Sequence, residues 1–350
     1  MGLYLVSFLA MVAIYGLLTL ALNVQWGSTG LFNIGIAAFF AVGAYTTAIL
    51  TTPPPAGVLL ATGGVGVGGG AAGMGVGHWG GLGWPPVAGI VAGSVAAALL
   101  AIPVGLLTLR LRGDYLAIAT IGLAETLRLF LKNQTDWTGG ANGIGDIPQF
   151  FRGLTASGQT ILFTLVAAAI CAVAFILVQA ATRSPWGRVL RAIRDDEAVV
   201  SATGKNVFRF RLQALVFGAS IMGLAGALYA HYTGFISPDA FEPMNATFLV
   251  WVMLIAGGSG NNWGALLGAL VVWGIWSGSD LLTGYIPAAW ATRAAALRVV
   301  IIGVLLEAIL VWRPRGLLGE DRHVSMWVKP GPASAQASTP RTSAPSTLER

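Results

Sequence analysis

Charged side chains are scarce in this sequence, and their scarcity excludes a soluble globular fold. Asp, Glu, Lys and Arg make up 10% of the 350 residues, whereas 55% are hydrophobic. Soluble domains use about 25% charged residues, so this chain lacks the side chains to cover a water-facing surface. The sequence consists instead largely of long runs of apolar residues. We therefore predict an all-α, polytopic helical membrane protein.

Several chemical functions lack the residues that they require. The single cysteine, Cys171, excludes a disulfide within one chain. No GxxxxGK[ST] motif occurs, so the chain has no P-loop with which to bind and hydrolyse ATP. The three histidines are far apart without metal-ligand spacing, and no Ser/His/Asp signature is present. We expect no catalytic residue, no metal and no cofactor bound by this chain, and hence no enzyme.

Residues 51–86 combine a proline run with dense glycine and contain no basic residue. Within them, residues 64–69 match GxGxxG, the dinucleotide-binding pattern. That pattern functions at the turn between a strand and a helix. Neither element is expected here, and glycine of this density matches the pattern by chance. We interpret residues 51–86 as a Gly/Pro-rich external loop.

Apolar stretches of membrane-spanning length recur along the chain. A spanning helix needs about 20 mostly apolar residues. About nine spans are predicted, near 3–22, 30–50, 87–109, 114–131, 160–181, 212–232, 245–258, 263–283 and 294–312. The first is expected to be retained, because no Lys or Arg precedes Arg110 to form the basic region of a signal peptide. The seventh is short and indicates a broken or re-entrant helix.

Lysine and arginine are unevenly distributed over the loops between these spans. Residues 183–211 hold seven of them, which assigns this loop to the cytoplasm by the positive-inside rule. Of the 20 Lys and Arg residues, fifteen then lie in inside segments and three in outside loops. This predicts the N-terminus outside and the C-terminus in the cytoplasm. The net charge of +6 then reflects orientation and anionic lipid headgroups, and no nucleic acid is expected as a partner.

These assignments give a single membrane domain, residues 1–320, followed by a tail. The tail, residues 321–350, is rich in Ser, Thr, Pro and Ala. It cannot bury enough apolar surface to fold, so we predict a disordered cytoplasmic segment.

Two charged residues lie within the fourth predicted span. Glu125 and Arg128 are three positions apart, which places them on one helix face. Charges inside a membrane are costly and mark functional sites by default. The pair could therefore face a translocation path. It could equally be an internal ion pair near the helix end, with Arg128 extending toward the interface.

The cytoplasmic loop, residues 183–211, has the pattern of short amphipathic helices. Pro185 suits a helix start, and Gly204 suits a stop. Apolar residues recur at helical spacing between them, and a basic stretch is followed by an acidic one. Such a segment could rest on lipid headgroups or form a docking element for a cytoplasmic subunit.

Several long motifs resemble those of a known family. They are GRVLRAIRDDEAVVSATGKNVFRFRL in the cytoplasmic loop, FGASIMGLAGALYAHYTGFISP from Phe217, LRGDYLAIATIGLAETLRLFLKN from Leu111, TGGANGIGDIP from Thr138, and IAGGSGNNWGALLG from Ile255. Their types and order are similar to the permease subunits of branched-chain amino acid ABC importers, of the LivM type. The resemblance covers roughly residues 17–318 and omits the glycine-rich loop and the tail.

The resemblance implies that the cytoplasmic loop couples the permease to an ATPase. In ABC importers an EAA-type segment with a following glycine forms a helix that enters a cleft of the ATPase. Glu197, Ala198 and Gly204 occupy that pattern, although the glycine follows Glu197 by seven residues instead of six and no Ile-x-Leu-Pro follows. The expected coupling residues are Arg188, Arg191, Arg194, Asp196, Glu197, Ala198 and Gly204.

The resemblance also implies partners. A member of this family functions in the inner membrane with a second, homologous permease, two cytoplasmic ATPase subunits that bind the ATP, and an external solute-binding protein. The substrate path is then expected between the two permeases. Asn33, Glu125 and Arg128 are the polar residues that we expect along it.

The substrate is less closely defined than the family. After Gly30, family members often carry a polar Gln-x-Ser-x-Gly-His run, whereas this chain has Leu-Phe-Asn-Ile-Gly-Ile, with Asn33 as its polar residue. Branched-chain amino acids are the expected cargo, and urea, short amides or aromatic acids are alternatives. A self-sufficient channel or secondary transporter, which would show inverted repeats with paired broken helices, and a scaffold without transport are the remaining hypotheses.

Overall fold

The fold was analysed in a computed structural model of the chain. It describes residues 2–53, 81–111, 113–150, 155–283, 300–301, 303–304, 307–309, 311–313 and 315–320. The GxGxxG match, most of the glycine-rich loop, part of the ninth predicted span and the tail lie outside these residues. The predictions made for them, and the domain boundaries that depend on them, stay predictions.

The described residues are almost entirely helical, which confirms the predicted all-α membrane fold. The helices are α1 (Gly2–Leu22), α2 (Ile36–Thr51), α3 (Pro86–Thr108), α4 (Gly113–Asn133), α5 (Thr135–Thr138), α6 (Ala156–Arg183), α7 (Pro185–Asp195), α8 (Glu197–Ala202), α9 (Val207–Thr233), α10 (Leu249–Gly257) and α11 (Asn262–Thr283). Two π-helical turns, Asn23–Gly27 and Met244–Phe248, extend α1 and precede α10. Within the described residues, a single antiparallel bridge joins Ile144 and Ile236.

Four of these helices are long and apolar enough to cross a membrane: α1 with its π turn, α3, α6 and α9. The sequence predicted each of them to within five residues at either end. α4 and α11 have 21 and 22 residues, enough to cross roughly 30 Å of hydrocarbon. Residues described between 300 and 312 are also helical.

Two apolar helices are too short to cross the bilayer alone. α2 has 16 residues, about 24 Å, and α10 with its π turn covers Met244–Gly257, about 21 Å. The short seventh span is thus confirmed. The second span was predicted wrongly at its start, because residues 30–35 are apolar but not helical.

The non-helical segment before α2 is buried, and side chains from distant helices bind its backbone. Ile34 donates its N–H to Thr120 Oγ1 at 3.0 Å, and the Asn33 carbonyl accepts from Trp251 Nε1 at 3.3 Å. Trp26 and Phe32 pack with Trp251 at ring-centroid distances of 5.1–5.4 Å. Because these partners satisfy polar groups that a helix would satisfy internally, the segment is stable inside the protein.

Small residues allow the central helices to approach closely. A Cβ at Gly43 of α2 would clash with the Gly223 carbonyl of α9, and one at Gly226 of α9 would clash with the Phe40 carbonyl of α2. Gly93 of α3 approaches the Gly43 carbonyl in the same way. Membrane helices gain little from the hydrophobic effect, so such backbone contacts supply much of their packing energy.

Loops of the described residues meet at two opposite ends of the helix bundle. At one end, which we call the α7 end, residues 27–30, 194, 258–260 and 316–320 contact one another. At the other, the Asp239 end, Lys132 binds Asp239 and Pro148 binds His231. This grouping agrees with the loop alternation predicted from the sequence. The side of the membrane that each end faces rests on the charge distribution and stays a prediction.

Candidate functional site

The loop between α6 and α9 folds into two short helices, as its sequence pattern predicted. Ser184 caps α7 by accepting from the Gly187 N–H, and Pro185 occupies the first turn, where its missing N–H costs nothing. α7 buries Gly187, Leu190 and Ile193. Its basic residues therefore lie along the other faces of an amphipathic helix.

α8 forms the exposed tip of this loop. Asp196 caps it, since its carboxylate accepts from the N–H groups of Ala198 at 2.8 Å and Val199 at 3.1 Å. Residues 195–199 are all exposed, and the Val199 side chain is 61% accessible. Gly204 has a φ of 77°, a left-handed conformation that glycine adopts without strain. The tip thus presents acidic groups around one apolar side chain.

The tip is attached to α9 by an apolar cluster and an ion pair. Ile193, Val200 and Val207 form a small buried cluster. Glu197 Oε2 lies 2.8 Å from Arg211 Nη2. These contacts hold α8 against the start of α9.

The predicted coupling residues do not all share one surface. Arg188, Asp196, Glu197, Ala198 and Gly204 are exposed and Arg191 is half-buried. Arg194 instead points back into the protein, where it binds the Gly27 carbonyl and Glu320. The structure brings six of the seven to the loop surface. Their contact with an ATPase stays a prediction.

Glu125 and Arg128 form a bidentate ion pair on α4. Arg128 Nη2 and Nε donate to the two carboxylate oxygens at 2.6 and 2.9 Å. Asp239 lies 3.6 Å from Arg128 and 3.2 Å from Lys132. The pair therefore continues into a charge cluster at the Asp239 end, which favours the ion-pair interpretation. The Glu125 side chain is still 37% exposed, so a role along the path stays a prediction.

Asn33 is buried, and both its side-chain nitrogen and its side-chain oxygen form hydrogen bonds. Its side chain is 1% exposed, its Nδ2 donates to Gln25 Oε1 at 2.8 Å, and its Oδ1 accepts from Gly35 N–H at 2.8 Å. Gln25 in turn donates to the Leu215 carbonyl at 3.1 Å. In this conformation Asn33 stabilises the non-helical segment, and its place along a substrate path stays a prediction.

A second buried network of amide side chains was not predicted from the sequence. Asn23 donates to Asn262 Oδ1 at 2.7 Å and accepts from the Gly260 N–H at 2.8 Å. Asn262 also donates to Thr182 at 3.1 Å. Polar side chains in apolar runs are the signal that could have identified these residues. The network joins the π turn after α1 to α6 and α11.

These features define a multi-pass helical membrane protein with an exposed two-helix loop at one end. The family described as "Branched-chain amino acid transport system / permease component" matches residues 4–310. The chain belongs to this family of transport permeases.

Individual relatives bear similar names. The chain is 31% identical to the high-affinity branched-chain amino acid transport system permease protein LivM of Salmonella typhimurium, covering 91% of this chain and 70% of the relative. It is 28% identical to the LivH permease of Escherichia coli, covering 58% and 63%. It is 27% identical to the fructose import permease protein FrcC of Rhizobium meliloti, covering 63% and 62%. No solved structure matches the chain.

Proposed function

We propose that this chain is the transmembrane permease subunit of an ABC importer for branched-chain amino acids. The observation that carries the proposal is a 31% identity to LivM over 91% of the chain. The exposed α8 tip supports it, since a permease without a P-loop needs a surface through which a separate ATPase can act.

The complete importer then contains further subunits. LivM and LivH, both permease proteins of branched-chain amino acid transport, are each similar to this chain, which supports a second, homologous permease beside it. Two cytoplasmic ATPase subunits bind and hydrolyse the ATP, so this chain has no enzyme activity of its own. An external solute-binding protein delivers the cargo, and the assembly resides in the bacterial-type cytoplasmic membrane.

The α8 tip is the proposed docking surface for an ATPase. Asp195, Asp196 and Glu197 precede Val199 in the same exposed stretch, so we expect the surface to fit a cleft with an apolar floor and a basic rim. Its chemistry differs from that of the basic face of α7, which suits anionic headgroups.

Leucine, isoleucine and valine are the proposed cargo. A relative named for fructose import is 27% identical, so similarity at that level accompanies different cargoes. The cognate solute-binding protein is expected to select the substrate. Calorimetry on that protein with leucine, urea and fructose tests the assignment, and binding of urea or fructose without leucine would contradict it.

Reconstitution tests the whole proposal. We expect no ATP-driven leucine uptake into vesicles that hold this chain alone, and uptake when the second permease, the ATPases and the binding protein are added. Leucine uptake by vesicles that hold this chain alone would contradict the proposal. Val199→Glu should abolish copurification of the ATPase while membrane insertion is retained. Arg209→Glu, an exposed change of charge at the base of the loop, is the matched control.

A further inference from the structure

Arg194 differs from the other basic residues of α7 because its guanidinium group is directed into the protein. Its Nη1 donates to the Gly27 carbonyl, and its Nη2 donates to Glu320 Oε1 at 3.0 Å. Its Nε lies 3.5 Å from Asp195 Oδ1. Each of the three nitrogens of the group thus has a partner within the protein.

The first of these partners belongs to the connector between α1 and α2. Gly30 packs directly on Arg194, where a Cβ would lie 3.2 Å from Arg194 Cγ, and its φ is 73°. Gly27 and Gly30 thus hold the connector against α7. The same connector continues into the buried segment that carries Asn33 and starts α2.

The second partner, Glu320, belongs to a segment bound to the α10–α11 turn. Leu317 and Leu318 donate their N–H groups to the carbonyls of Ala256 and Gly257, both at 2.9 Å. A Cβ at Gly260 would lie 2.8 Å from the Glu320 carboxylate. The ion pair between Arg194 and Glu320 therefore joins α7 to the end of α10.

We propose that Arg194 is a positioning residue that transmits movement of the α7–α8 loop to α2 and α10. This inference rests on the proposed function, because it assumes that an ATPase moves the loop. The two connected helices, α2 and α10, are the apolar helices that are too short to cross the bilayer alone, and α2 begins at the buried Ile36. A displacement of α7 reaches both of them through one side chain.

The chemistry of arginine suits this role. Its planar, permanently charged fork donates in several fixed directions, so one group can hold a carbonyl and a carboxylate together. Lysine at this position keeps the charge but presents a single ammonium group. The binding protein should therefore stimulate ATP hydrolysis less in the Arg194→Lys variant than in the native importer, and more than in Arg194→Gln.

The test uses the complete importer in nanodiscs, with the cognate solute-binding protein added as purified. The first readout is the amount of ATPase that copurifies with each permease. The second is the factor by which the binding protein stimulates ATP hydrolysis. For Arg194→Gln and Glu320→Gln we expect normal copurification, basal hydrolysis within about twofold of native, and loss of most of the stimulation. Arg209→Gln, exposed in the same loop region, should behave as the native chain.

The outcomes separate the two proposals. If the binding protein stimulates ATP hydrolysis by the native factor in both Arg194→Gln and Glu320→Gln, Arg194 does not transmit the movement and the proposal is overturned. Loss of copurified ATPase with the stimulation factor unchanged in the remaining complexes would assign Arg194 to docking or folding and also overturn it. If the native chain itself captures no ATPase, the proposed function fails first, and that result is visible before any variant is compared.

Discussion

The α10–α11 contact provides a quantitative test of the packing, through Gly268. A Cβ at this position would clash with the Met253 carbonyl, and one at Gly257 would clash with the Gly264 carbonyl. The obstructing atoms are backbone atoms of a helix, which cannot rotate away as a side chain can. Gly268→Ala must therefore push the two helices apart.

Gly278 supplies a matched control on the same helix. A Cβ there meets no atom within 4 Å. Gly→Ala within a helix gains about 1 kcal/mol of helix propensity at either position, and this gain cancels when the two variants are compared. Overpacking of a filled interior costs about 1–3 kcal/mol. Because backbone obstructs the new methyl group, we expect a difference of about 2–3 kcal/mol.

The measurement is the free energy of unfolding in detergent or bicelles, for the native chain and both variants. Gly278→Ala should be as stable as the native chain or more stable, and Gly268→Ala less stable than either. A Gly268→Ala variant that matches Gly278→Ala would refute the close backbone contact, and with it the described position of α10 against α11.

Two further predictions concern polar residues of the candidate site. Asp196→Ala removes the cap of α8 and should cost about 0.5–2 kcal/mol of local helix stability, which would lower ATPase copurification. Asp196→Asn keeps the cap and should restore most of the copurification, with the remainder lost through the missing charge; equal loss in both variants would show that the charge matters and the cap does not. Glu125→Ala leaves Arg128 without its closest partner and should destabilise the chain in nanodiscs by about 1.5–3 kcal/mol. Thr126→Ala, exposed on the same turn, should have little effect, and equal midpoints for the two variants would contradict the ion pair.

Sequence patterns predicted those elements whose stability is local. α3 and α6 are continuous apolar runs, and a run of that length in a membrane can satisfy its backbone only as a helix. α7 and α8 follow from Pro185, the amphipathic spacing and Gly204. The buried side of α7 contains Leu190 and Ile193, whereas Ala192 is exposed.

Elements that depend on distant partners could not be predicted in this way. Residues 30–35 were predicted as part of a helix, but Thr120 and Trp251 stabilise them in a non-helical form. Arg194 has the same local pattern as Arg188 and Arg191, and its inward direction is set by Gly27, 167 residues earlier, and Glu320, 126 residues later. Hydropathy and spacing contain no information about contacts between residues that are this far apart in the sequence.

The buried segment before α2 has a consequence for how the protein is made. Ile34 and Asn33 depend on Thr120 and Trp251, which the ribosome adds much later. At roughly 5–20 residues per second, Trp251 follows the segment by about 10–40 s. Until then, the connector between α1 and α2 lacks these hydrogen bonds. The order of synthesis therefore means that this early part of the membrane domain reaches its final structure only after a much later helix has been added.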